Sequence, residues 1–100
     1  MEQGCRILAR NAAFPGAEID LIAQDGRVIV FVEVKLRKND AYAEGKEFVT
    51  AAKQQRVMMA AQLWLQQNET ELQPRFDVIE IYAPNGEKGR VRINHIENAF

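Results

Sequence analysis

One cysteine and one histidine in 100 residues exclude more than any single motif in the chain. Cys5 on its own can close no internal disulfide and build no cysteine-based zinc site, so it reads as a packing residue at the start of a strand. His95 has no second histidine with which to share a metal and takes a structural role near a strand end. No apolar stretch approaches the roughly 20 residues needed to cross a bilayer. The opening segment, MEQGCRILARN, lacks the long apolar run and small-residue cleavage site of a signal peptide, so a cytoplasmic protein is expected. Internal repeats, low-complexity tracts and a glycine-rich phosphate loop are all missing. A formal net charge of −1 gives no general attraction to nucleic acid, which leaves local charge distribution to decide that question.

What is present is the composition of an ordinary globule, 47% hydrophobic and 27% charged, over a length that fits one domain spanning residues 1–100. The chain is organised around residues 17 to 38, AEIDLIAQDGRVIVFVEVKLRK. Two apolar runs flank Asp25-Gly26, the strongest short-range signal for a β-hairpin with a type I′ turn. Closure by Gln24 and Arg27 sets Ala23 against Val28, Ile22 against Ile29, Asp20 against Phe31 and Glu18 against Glu33.

Alternation along the strands then places Val28, Val30, Val32 and Val34 on one face with Ile19 and Leu21. The opposite face carries Ile22, Ile29 and Phe31 near the turn and becomes charged at its far end, where Glu18, Asp20, Glu33 and Lys35 converge. Asp20 and Glu33 come out as diagonal cross-strand neighbours. Because Val28 to Val34 is apolar on both faces, it reads as an interior strand, and Glu33 inside it requires a cation, either Lys35 or a bound metal.

The remaining elements follow in order. Residues 5 to 11 form a short strand, and Phe14-Pro15-Gly16 turns into the hairpin. Residues 38 to 49 form a polar loop. Thr50 caps a helix running to about Asn68, with Met58, Ala61 and Leu65 on one stripe and Val57, Ala61 and Trp64 on its neighbour. Strands over about 75 to 83 and 90 to 96 complete the order β-β-β-α-β-β, with a turn begun at Pro84-Asn85-Gly86. Asp77 is a partly buried, hydrogen-bonded carboxylate. Lys53 and Gln54 occupy the helix's first turn, where such residues are most often simply solvated.

Two carboxylates on rigid strands, with the backbone carbonyl of Val34 as a third oxygen, suit a hard cation such as Mg²⁺ or Mn²⁺. Three carboxylates to one lysine is more negative charge than a matched salt-bridge face would hold. Such a site can activate water against a phosphodiester, with Lys35 orienting or deprotonating that water or neutralising the transition state. Lys35, Arg37, Lys38, Lys46, Lys53 and Arg56 add a basic rim for nucleic acid. The competing reading is a structural charge network in a nucleic-acid-binding or interaction protein.

The pattern Asp20, twelve residues, then Glu33-Val34-Lys35 resembles the D…ExK signature of the PD-(D/E)xK restriction-endonuclease-like superfamily, with a spacing similar to that of archaeal Holliday-junction resolvases. Together with GAEIDLIAQDGRVIVFVEVKLRK, Lys53-Gln54 and Arg75-Phe76-Asp77-Val78, it resembles the YraN-like family of uncharacterised bacterial proteins. The resemblance implies a mixed sheet with flanking helices (α/β, α+β). It implies Asp20 and Glu33 as metal ligands, Lys35 as the catalytic lysine, and Glu18, Lys53 and Gln54 as accessory positions. The expected activity is metal-dependent hydrolysis of DNA, in branched or damaged structures. The family usually begins with a helix carrying a further glutamate, and this sequence starts at or after the end of that helix. The expectation is a site short of that ligand and a homodimer that covers the exposed face.

Overall fold

Asp25-Gly26 does reverse the chain, but the loop is Gly26-Arg27, closed by Asp25 against Val28. The computed structural model describes residues 5–37, 50–82 and 91–100. Within them, β1 (Arg6–Phe14), β2 (Ala17–Asp25) and β3 (Val28–Arg37) precede helix α1 (Ala51–Gln67), and β4 (Gln73–Tyr82) and β5 (Arg92–Ile96) follow it. The order is the expected β-β-β-α-β-β, a mixed α+β arrangement. The polar loop 38–49 and the turn at 84–86 lie outside the described residues.

The turn differs from type I′ because only Gly26 takes a positive φ, 63°. Glycine at the first loop position is the type II′ arrangement, which also suits the twist of a hairpin. Relative to closure by Gln24 and Arg27, every pairing moves by two residues: Ile22 faces Phe31 and Leu21 faces Val32. A shift of two leaves each side chain on its face, so the face assignments near the turn survive. At the preceding turn, Phe14 pairs with Ala17 across Pro15-Gly16. Proline first and glycine second, with φ 83° at Gly16, is the type II pattern, and it extends β1 three residues beyond the expected end.

The sheet runs β1-β2-β3-β4-β5, antiparallel throughout except for β3 and β4. Those two are parallel because the intervening connection contains α1, the standard route between parallel neighbours. β3 is thus central, and Ile29, Val30, Phe31, Val32 and Glu33 are all buried, as a strand covered on both faces should be.

Thr50 caps α1 as expected: its Oγ1 accepts from the Lys53 N–H at 3.2 Å. Val57, Ala60 and Ala61 are the helix's buried residues, and Trp64 and Leu65 pack on the same core. Met58, expected in the buried stripe, lies instead at the exposed edge with Met59. The small alanines let the helix approach the sheet closely, and Trp64 then meets the edge of Phe31, with centroids 6.0 Å apart. Phe31 also stacks on Phe76, which stacks on Phe100, at 5.5 and 5.2 Å.

Ile19 departs from strict alternation. It was expected on the valine face, but it belongs to the buried cluster of Ile22, Ile29, Phe31 and Val57. The departure falls at an irregular stretch of the sheet, where Asn11 of β1, between the partners of Leu21 and Ile19, takes a φ of 49°. The β2–β3 ladder ends at Leu21 and Val32, and the next N–H of β3, that of Val34, donates to the side chain of Asp20 instead.

Candidate functional site

The Asp20 carboxylate substitutes for a main-chain acceptor: Val34 N–H donates to its Oδ2 at 2.8 Å. This explains why an acidic residue sits inside an otherwise apolar strand and why the strand changes course there. The β2–β3 pairing stops at Leu21 and Val32, so Asp20 and Glu33 are the first residue on each strand beyond the paired ladder. On its β1 side Glu18 pairs with Ala13, and the β2–β3 ladder does not reach the expected pairing of Glu18 with Glu33.

Glu33 is 5% exposed and does find a cation. The lysine that supplies it is Lys53 rather than Lys35, with Nζ 2.6 Å from Glu33 Oε1. Lys53 reaches it because the first turn of α1 lies over the end of β2 and β3 where the carboxylates project. The tendency of first-turn lysines to be solvated is overridden here by a buried charge, whose desolvation would otherwise be uncompensated. The sequence did carry a signal for this pairing, an obligatory cation for Glu33, expected as Lys35 or a bound metal rather than as Lys53.

These residues surround a cleft of about 350 Å³ lined by Gly16, Glu18, Asp20, Glu33, Lys53 and Arg56, with Ala17 and Val57. The structure therefore brings together five of the residues picked out from sequence. Lys35 lies on the same strand two residues from Glu33, half-buried and in register with Glu80 of β4, and is not among the lining residues. Gln54 is half-buried in the first helical turn, also off the cleft lining. Lys38, Lys46 and the side chain of Arg37 lie outside the described residues. The contribution of the Gly16-Ala17 turn to the cleft was missed, although Gly16 was recognised as turn chemistry.

The donor set suits a hard cation. Among the described residues, no three histidine, cysteine, aspartate or glutamate side chains are grouped as a complete metal cage. Mg²⁺ does not need one, because it is commonly held by one or two carboxylates, with water and phosphate oxygens supplying the rest. Asp20 and Glu33 are the two carboxylates that could hold it, in one cleft with Glu18.

A second charged cluster lies on the valine face. Asp77, in register with Val32, is fully buried. Arg75 donates to it twice, through Nε to Oδ1 and Nη2 to Oδ2, both at 2.9 Å. Asn98 N–H donates to Oδ1 at 3.0 Å, and His95 Nε2 lies 2.7 Å from Oδ2. Burial pushes the Asp77 carboxyl up, but the hydrogen bonds of Arg75, Asn98 and His95 and the guanidinium charge outweigh it and hold it below the usual carboxylate range. Asp77 is buried and hydrogen-bonded as expected, and His95, expected in a structural role, is one of its partners.

Residues 1–81 match the model of the uncharacterised protein family UPF0102. A UPF0102 protein of Symbiobacterium thermophilum is 52% identical over 98 residues, covering 97% of this chain and 81% of its own. A UPF0102 protein of Vibrio campbellii is 45% identical over 101 residues, covering 98% and 79%, and one of Pelobacter propionicus is 44% identical over 102 residues, covering 99% and 71%. With identity of this level running through both the hairpin and the helix that builds the cleft, the chain belongs to uncharacterised protein family UPF0102.

Proposed function

We propose that the chain is a metal-dependent, endonuclease-like protein of the PD-(D/E)xK superfamily, hydrolysing phosphodiester bonds in DNA, with branched or damaged DNA as the substrate. The observation that carries this reading is the meeting of Asp20 and Glu33 at one end of a cleft whose other lining charges include Lys53 and Arg56. Acid for a cation and base for a phosphate then stand side by side.

A bound Mg²⁺ or Mn²⁺ would supply an activated water and stabilise charge developing on the phosphodiester. The chain's own residues do the rest. Val34 N–H fixes Asp20 through Oδ2, and the lone pairs of Oδ1 remain as donor capacity. Glu33 is held rigid on the central strand. Arg56 offers a fork of donors to a backbone phosphate. Lys35, following Glu33 in the ExK pattern, orients or deprotonates the attacking water. Glu18 and Gln54 are accessory.

Cleavage of nicked, branched and single-stranded DNA in Mg²⁺ or Mn²⁺ tests the reading. Glu33→Ala and Lys35→Ala should each lower the rate by about 100-fold or more, and a rate indifferent to both would contradict it. The placement of Lys35 outside the cleft lining favours one alternative, a nucleic-acid-binding protein that keeps the fold without turnover. DNA binding without cleavage by the wild type would select that alternative.

A further inference from the structure

The cation at Glu33 comes from a different element than the carboxylates, and this governs how the cleft fills. Glu33 is buried on β3, while the Lys53 side chain is 39% exposed, so its ammonium sits where the cleft opens to solvent. Its four-carbon stem is flexible, and its three donors rotate freely. Arg56 follows three residues later on α1 and therefore stands on the same side of the helix, also lining the cleft. A divalent ion ligated by Glu33 competes with the ammonium that stands 2.6 Å from Oε1, because two cations drawn to one carboxylate in a partly buried site repel each other.

We propose that Lys53 is the resident counter-ion of the metal-free cleft. It neutralises Glu33 until a divalent cation takes the carboxylate, and the exchange frees its ammonium for a substrate phosphate beside Arg56. The proposal rests on the metal-site reading of Asp20 and Glu33. It gives Lys53 two partners in succession, a buried carboxylate and then a substrate phosphate. It also makes metal and polyanion binding mutually reinforcing: each draws away one partner of the ion pair, and such coupling is reciprocal.

Calorimetric titration of Mg²⁺ into the wild type, Lys53→Gln and Lys53→Arg at low salt tests the exchange. Lys53→Gln should bind Mg²⁺ about tenfold more tightly, since the ion no longer displaces a charge-assisted hydrogen bond. Lys53→Arg, which keeps the competing charge, should bind no more tightly than the wild type. Metal-free Lys53→Gln should melt below the wild type and recover in saturating Mg²⁺. In the wild type itself, the Lys53 ammonium protons should lose their protection from solvent exchange when Mg²⁺ saturates, a readout that needs no variant. Equal or weaker Mg²⁺ binding by Lys53→Gln, with the wild type still binding, overturns the exchange and leaves the metal site standing. No Mg²⁺ binding by any of the three overturns both.

Discussion

Asp20 and Asp77 show how one residue type meets two different ends in the same sheet. Asp77 is saturated by Arg75, His95 and Asn98, and its carboxyl is held below the ordinary carboxylate range. A depressed folded-state value stabilises above the unfolded value of about 4 and is lost as pH falls through the folded one. Acid unfolding followed by circular dichroism should therefore show stability flat at neutral pH and declining below about pH 4. Asp77→Asn should remove part of that decline. Asp77→Ala leaves Arg75 facing a cavity and should cost about 3 kcal/mol in urea unfolding at neutral pH. Asp20 is less committed, with one oxygen on Val34 and the cleft beside it.

At the scale of elements, helix and hairpin were legible to different depths. The Thr50 cap and the sheet-facing Val57, Ala61, Trp64 and Leu65 follow from side-chain chemistry and a period of 3.6, whereas Met58 does not face the sheet and Ala60 does; α1 begins and ends within a residue of expectation. Thr50→Ala should lower stability by about 1 kcal/mol, measured by chemical denaturation, because the Lys53 N–H loses its acceptor. In the hairpin, the apolar alternation specified faces but not register, since a slip of two residues changes no face. Register was decided by which residue takes positive φ, and Gly26 is the one that does so without strain. Gly26→Val should therefore destabilise by about 1–2 kcal/mol per the cost of left-handed backbone at a residue bearing Cβ, although nothing crowds the position. The face of Ile19 was not legible at all, because strict alternation fails in this stretch, where Asn11 of β1 takes a φ of 49°. The pairing of Glu33 with Lys53 was also hidden: it joins elements twenty residues apart through a crossover whose placement no local pattern encodes.

The whole molecule is a five-stranded sheet with its one described helix on one face and its candidate site where the helix's first turn meets the ends of β2 and β3. The central parallel pair puts Glu33 in the interior strand, where a carboxylate costs stability unless a cation answers it. Among the described residues, no helix is long and apolar enough to cross a membrane. The central claim is that Asp20 and Glu33 together form a divalent-cation site. Mg²⁺ and Mn²⁺ titrated by calorimetry at low salt into the wild type and Asp20→Ala test it most directly. Saturable binding by the wild type that is lost in Asp20→Ala, with the variant still folded by circular dichroism, is the predicted result. Binding unchanged by Asp20→Ala, or absent from both proteins, would contradict it.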